Sequence, residues 1–295
     1  MKLDQTEASA LSRLFSAKVL NDFGQHGSSA LFIRLLDHTS VTARLTPDAT
    51  VGEVFNSAFD ILKTSGVRDD YVYRSAITQK ILLGRHSLRT ATLLNEVRAG
   101  TCKADVVVLN GTSTAYEIKS ERDSLARLRN QVDNYRKVFA TVNVLVSSSH
   151  RHEVLNATPK DVGVTTLSSR FRLQVEREPQ DRPDRTSPLM MLEVLRVEEA
   201  CSVLRSLGCE VPDVPNTRIR FELGQIYAKL DPAVVHDQMV RELKASRSQV
   251  GMSDFIKSVP VSLRAASLAA KPDLTRRNRI KQAVNTPLVE ALNWR

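Results

Sequence analysis

Three ionisable residues stand where an apolar strand should run. The stretch Lys103 to Asp123 (KADVVVLNGTSTAYEIKSERD) has an unbroken apolar run, Val106 to Leu109, then Asn110-Gly111, then a half-apolar run from Ala115. Asn-Gly between two such runs is a hairpin signal. Asp105 enters the first run, and Glu117 and Lys119 enter the second. Burying a carboxylate or an ammonium costs several kcal/mol unless it is paired or holds a metal. Strand side chains alternate, so Glu117 and Lys119 share one face while Tyr116 and Ile118 share the other. A turn at Asn110-Gly111 carries Asp105 to the end of the second strand. Two acids and a lysine then meet at one edge of a sheet. Side-by-side carboxylates raise each other's pKa unless a cation lies between them. Lys119 supplies one positive charge, and a divalent ion supplies more. Mg²⁺ (or Mn²⁺) suits oxygen donors and uses one or two carboxylates while keeping waters. Such an ion activates water and stabilises phosphoryl charge, with Lys119 placed to orient that water or steady the transition state. The plainer alternative is a solvated strand face with a cross-strand ion pair worth about 0.2–1 kcal/mol.

The flanking elements must position these groups. Apolar residues at helical spacing predict helices over Ala8 to Phe23, Ala30 to Leu36, Val51 to Leu62 and Asp69 to Leu83. Ser87 to Ala99 reads as a helix with Leu88, Ala91, Leu94 and Val97 on one side and Gly100 as its stop. After the hairpin, Ser120 to Phe139 reads as another helix, Thr141 to Val146 as a strand, and Asp161 to Leu167 as a stretch holding one more. Arg177 to Pro188 has three prolines and no aliphatic residue, which predicts an exposed linker. Helices follow over Leu189 to Leu207, Arg218 to Leu230, Pro232 to Leu243 and Met252 to Ser258. The division is a helical region 1–84, an α/β core 85–175, a linker 176–188 and a helical region 189–295.

Asp105 and Glu117-Ile118-Lys119 match the motif of the PD-(D/E)XK nuclease superfamily, which the chain resembles from about Tyr71 to Leu167. Ala104 stands where the motif has proline. Members often add an acid from the helix before the hairpin, and Glu96 fits that place. A RecB-like branch adds Q-x-x-x-Y, and Gln131 to Tyr135 reproduces it. The stretch also looks like a family of bacterial and phage proteins built on such a core. The resemblance implies a restriction-endonuclease-like α/β fold: a small mixed sheet flanked by helices, with helical N- and C-terminal regions. It implies a Mg²⁺-dependent deoxyribonuclease in which Asp105, Glu117, the Ile118 carbonyl and Glu96 hold the metal. Asp105, Glu117, Lys119 and Glu96 would be catalytic, and Gln131 and Tyr135 would contact the DNA backbone or support the site. The alternatives are an inactive nuclease-fold protein that binds nucleic acid or protein, and an RNA-directed nuclease.

Composition agrees with a polyanionic partner. The net charge is +9 and the pI about 9.6, which favours DNA. Lys103 and Arg98 flank the acids and could hold phosphates, as could Ser120, Arg122 and Arg127. Arg276, Arg277, Arg279 and Lys281 form a basic cluster at i+3 and i+4 spacings, suited to salt-dependent phosphate binding. Aromatics are 5%, too few to indicate a stacking platform for single strands. Gly84 to Ser87 lacks P-loop spacing, and His150-Arg151-His152 reads as a loop. Cys102, Cys201 and Cys209 make neither a zinc pattern nor a disulfide framework. That, with no secretory h-region and no apolar run of membrane length, predicts a cytoplasmic protein without a membrane partner. A homodimer or a protein partner is a further expectation.

Overall fold

A computed structural model describes residues 4–64, 66 and 68–294. The chain opens with helices α1 (Gln5–Leu14), α2 (Ala17–His26), α3 (Ala30–Leu36), α4 (Val51–Thr64) and α5 (Asp70–Ala76). Asp4, Ser16, Ser29 and Asp69 cap α1, α2, α3 and α5, each side chain accepting a first-turn N–H. The stretch expected as one helix to Leu83 turns π-helical over Ile77–Leu82.

Six strands form one mixed sheet in sequential order: β1 (Thr92–Ala99), β2 (Cys102–Leu109), β3 (Ser113–Lys119), β4 (Thr141–Val146), β5 (Gly163–Leu167) and β6 (Leu173–Arg177). β1–β2–β3 are antiparallel, β3–β4–β5 parallel, and β6 returns antiparallel to β5. The α/β class expected from sequence is present, with α6 (Leu128–Tyr135) bridging β3 to β4 and α7 (Arg151–Ala157) bridging β4 to β5. These are parallel crossovers, which need a covering element.

Several local expectations need correction: the helix expected over Ala8 to Phe23 is broken between α1 and α2, and that over Ser120 to Phe139 is confined to Leu128–Tyr135. Residues 92–99 are a strand, not the end of a helix. Leu88, Ala91, Leu94 and Val97 imitate a helical stripe because they recur every three residues. Leu94 and Val97 do join one core cluster, although strict strand alternation would put them on opposite faces. The alternation breaks between them at Glu96, whose φ is 53°. Gly100 closes the β1–β2 hairpin instead of ending a helix. Its φ is 57°, and a Cβ there would lie 2.4 Å from Asn134 Oδ1, so only glycine fits. His150-Arg151-His152 starts α7. Finally, Leu189 to Leu207 is broken into α8 (Pro188–Val194) and α9 (Val197–Ser206). The Arg196 N–H between them is taken by the Glu199 carboxylate at 2.8 Å.

The chain continues through α10 (Asn216–Tyr227), α11 (Pro232–Ser246), α12 (Ser253–Ser258), α13 (Arg264–Ala270), α14 (Leu274–Asn285) and α15 (Leu288–Ala291). The sheet is a middle layer. One face packs on α1–α5 and α12–α15 through Phe23, Phe55, Val106 and Ile118. The other packs on α6–α11 through Val107, Val144, Leu204 and Met239. The helices after residue 188 therefore divide between the two faces. The segment before them lies against the body: Arg185 donates to Asp161 and to the carbonyls of Phe139 and Ala140, and the Ser187 N–H bonds the Lys137 carbonyl. Among the described residues no helix is long and apolar enough to cross a membrane.

Candidate functional site

The site is a fork in the sheet. The β2–β3 ladder runs from Leu109↔Ser113 to Val106↔Tyr116. Past that point β3 stays paired with β4 as far as Lys119↔Val146, and side chains replace the backbone ladder between β2 and β3. Asp105 Oδ2 accepts the Ile118 N–H at 2.8 Å. The Tyr135 hydroxyl lies 2.6 Å from both the Lys103 carbonyl and Glu117 Oε2. Arg74 Nη1 donates to the Asp105 carbonyl at 3.0 Å.

Glu117 and Lys119 share one face of β3, and both are buried, 1% and 5% exposed. Lys119 Nζ is 2.8 Å from Glu117 Oε1 and donates to Gln131 Oε1 at 2.9 Å. Gln131 and Tyr135 are one turn apart on α6, so both aim at the fork. Tyr135 is fully buried, so it supports Glu117 instead of meeting DNA from the surface. Burial, then the Glu117 carboxylate, holds the Tyr135 phenol far above its ordinary pKa.

Asp105 carries the most informative perturbation. Burial and then the Glu117 carboxylate raise it from 3.8 to about 7, against the Ile118 N–H and Arg74, which pull it down. Two neighbouring acids are favoured by cations beside them; Lys119 serves Glu117. The cation beside Asp105 is Arg74 on α5, which sequence reasoning missed. Its guanidinium contacts Asp70 at 2.6 Å, Glu96 at 2.7 Å and Asp105 Oδ1 at 3.4 Å. The Asp70–Arg74 spacing was legible as an i,i+4 ion pair. Its reach to β1 and β2 is tertiary and left no local signal.

Glu96 is on β1, and the register on either side (Asn95↔Val106, Val97↔Ala104) sets it across from Asp105. It is half-exposed and joins the acids through Arg74. Its left-handed backbone costs a non-glycine residue roughly 1–3 kcal/mol, a kind of strain that gathers at functional sites. Arg98 and Lys103 are exposed and directly paired across the β1–β2 hairpin. The basic cluster on α14 is placed elsewhere, since α14 packs mainly on α2, α4 and α12. Arg277 is tied to the Pro272 and Gly251 carbonyls, Arg279 to the Gln25 carbonyl and Arg276 to Asp273. Lys281 is exposed.

The donor set is hard oxygen: the Asp105 and Glu117 carboxylates and the Ile118 carbonyl at the fork's mouth. Among the described residues no three His, Cys, Asp or Glu side chains converge as a cage.

A family model described as Bacteriophage P4 protein cII matches residues 64–269, which run from the last residue of α4 into α13 and include the whole fork. Protein cII of Enterobacteria phage P4 is 36% identical over 84 residues, 28% of this chain and 32% of that protein. The chain thus spans about a third of the curated relative it matches. No solved structure matches. These findings correct the resemblance drawn from the motif. The matching family is that of P4 protein cII, and nothing in the matches points to the PD-(D/E)XK superfamily or its RecB-like branch. A short D…E-x-K with a Q-x-x-x-Y fixes few positions, whereas the family model is matched over most of the chain.

Proposed function

The chain belongs to the bacteriophage P4 protein cII family, and we propose that it is a metal-dependent nuclease that hydrolyses phosphodiester bonds of DNA, its forked sheet serving as the nuclease core. The observation that carries this reading is the half-buried Asp105 beside the buried Glu117 and Lys119. Buried ion pairs add little to stability, so a fold that keeps the Glu117–Lys119 pair buried next to Asp105 gains something else from it.

Asp105, Glu117 and the Ile118 carbonyl would hold the divalent ion, with Glu96 held beside them through Arg74. When bound, that ion supplies Lewis-acid stabilisation of charge on the phosphoryl oxygens. Lys119 orients the attacking water and steadies negative charge as it develops. Gln131 fixes the Lys119 ammonium, and Tyr135 fixes the Glu117 carboxylate. Arg74 balances the acids' charge before the metal and the substrate arrive. The net charge of +9 attracts the polyanion.

The test is cleavage of supercoiled plasmid, linear duplex and single-stranded RNA with Mg²⁺, Mn²⁺ or EDTA, comparing the protein with its Lys119→Ala variant. We expect metal-dependent cutting of DNA by the unaltered protein only. A linear product without accumulated nicks would indicate two copies acting together. Cutting of RNA alone would overturn the choice of DNA. No cutting with DNA binding intact would overturn the enzyme and leave a binding protein.

A further inference from the structure

A second feature adjoins the fork on its outer side. β1 is the edge strand of the sheet, and a cavity of about 220 Å³ opens beside it against α8, the start of α9, and the ends of α11 and α13. Its charged lining is Glu96, Arg98, Glu193, Arg196, Arg247 and Lys271, with Asn95 beside them. Two of these six are already engaged. Arg74 holds Glu96 at 2.7 Å, and Glu199 holds Arg247 at 2.6 Å while the Val194 carbonyl fixes the same guanidinium. Arg98, Arg196 and Lys271 form no ion pair among the described residues. Lys271 reaches the cavity from the far face of the sheet because the chain leaves α13 there in the left-handed conformation, φ 46°. Burial, Arg247 and Arg196 all push its ammonium pKa down. Like charges from three separate elements are thus gathered at one cavity with less counter-charge than they need.

We propose that this cavity is a binding groove for the phosphodiester backbone of DNA, with Arg98, Arg196 and Lys271 meeting successive phosphates as the strand leaves the fork over the edge of β1. The groove's position beside a hydrolytic centre rests on the nuclease reading above; its charge does not. Glu96 lines both places, through Arg74 on one side and the cavity wall on the other. Arg247 is locked by Glu199 and acts as the fixed wall of the groove.

The experiment is fluorescence anisotropy with a labelled duplex in EDTA, from about 50 to 200 mM salt. Each neutralised phosphate contributes about 0.9 to the slope of log K against log salt. Arg196→Glu combined with Lys271→Glu is expected to lower that slope by about 1.8 and to weaken binding at least tenfold at low salt. Arg44→Glu combined with Lys229→Glu makes the same change in net charge at exposed positions outside the groove and should leave the slope within about 0.5 of the unaltered protein. Circular dichroism confirms folding of both. An unchanged slope in the groove variant, an equal loss in the control, or no DNA binding by the unaltered protein overturns the groove. Plasmid cutting, scored in parallel, separates the two ideas. Loss of slope without any cutting by the unaltered protein keeps the groove and removes the nuclease. Cutting with an unchanged slope does the reverse.

Discussion

Replacing Asp105 by asparagine should make the metal-free protein more stable while removing its response to metal. Asp105 is raised from 3.8 to about 7 in the folded chain. Between those values the folded form binds more protons than the unfolded form, so stability falls as pH rises through this window and stays low above it. At about 1.4 kcal/mol per tenfold change in proton affinity, the penalty above neutral pH is at most about 4 kcal/mol. Asparagine has the same shape and can still accept the Ile118 N–H through its carbonyl oxygen. The pull of Arg74, 3.4 Å away, is already contained in that net shift, so a gain of up to about 4 kcal/mol is expected at pH 8. For a chain of this size that is a rise in Tm of up to roughly 8 °C. The assay is thermal unfolding of both proteins in EDTA from pH 4 to pH 8.5, repeated with Mg²⁺. The gap should be near zero at pH 4 and full by pH 8. With Mg²⁺ at a hundred times its Kd, the unaltered protein gains about 2.7 kcal/mol, and the variant gains nothing. A variant no more stable than the parent at pH 8, or a gap that ignores pH, would show that Asp105 bears no burial penalty. The physical case for a cation at the fork would then be gone.

Further outcomes follow from the same geometry. Mg²⁺ affinity measured by calorimetry should fall about tenfold per pH unit below pH 7, since Asp105 must lose its proton to coordinate; a flat profile from pH 5 to 8 would remove Asp105 from the ligand set. Tyr135→Phe leaves the Lys103 carbonyl and Glu117 Oε2, both 2.6 Å from the hydroxyl, short of a donor, and should cost about 1–3 kcal/mol by urea unfolding. Gly100→Ala should cost at least about 1–2 kcal/mol from the left-handed backbone alone, and more because its Cβ would lie 2.4 Å from Asn134 Oδ1; an unchanged urea midpoint would contradict the hairpin as described. Glu199 is held down from 4.5 to about 2, its bonds to Arg247, the Arg196 N–H and Ser246 outweighing burial. Its contribution is therefore complete above pH 4.5 and lost as pH falls toward 2. Glu199→Gln should cost about 3 kcal/mol at pH 7, with the difference vanishing near pH 2.

What could be read from the sequence, and what could not, divides by how far each signal reaches along the chain. The β2–β3 hairpin was legible because Asn110-Gly111 and the apolar runs beside it are local, and β4 because its six residues are all buried and β-branched or apolar apart from Asn143. β1 was misread because Glu96 breaks the alternation of the strand, and a broken period of two resembles a period of three. The acids and Lys119 were conspicuous because charge inside an apolar strand is expensive. Arg74 was not, because an arginine four residues after an aspartate has an ordinary local explanation, and its contacts with Glu96 and Asp105 span 22 and 31 residues. The α14 cluster misled for the converse reason. Its spacing shows a charged helix face, but three of its four cations are tied to neighbouring residues, two of them to backbone carbonyls. Lys271 opens the basic stretch that ends at Lys281, but at five residues before Arg276 it was not counted in the cluster. It becomes informative only when α13 delivers it beside Arg196 and Arg98. Groups that burden the fold declare themselves in sequence, whereas groups that relieve or exploit that burden come from distant segments and show only in three dimensions.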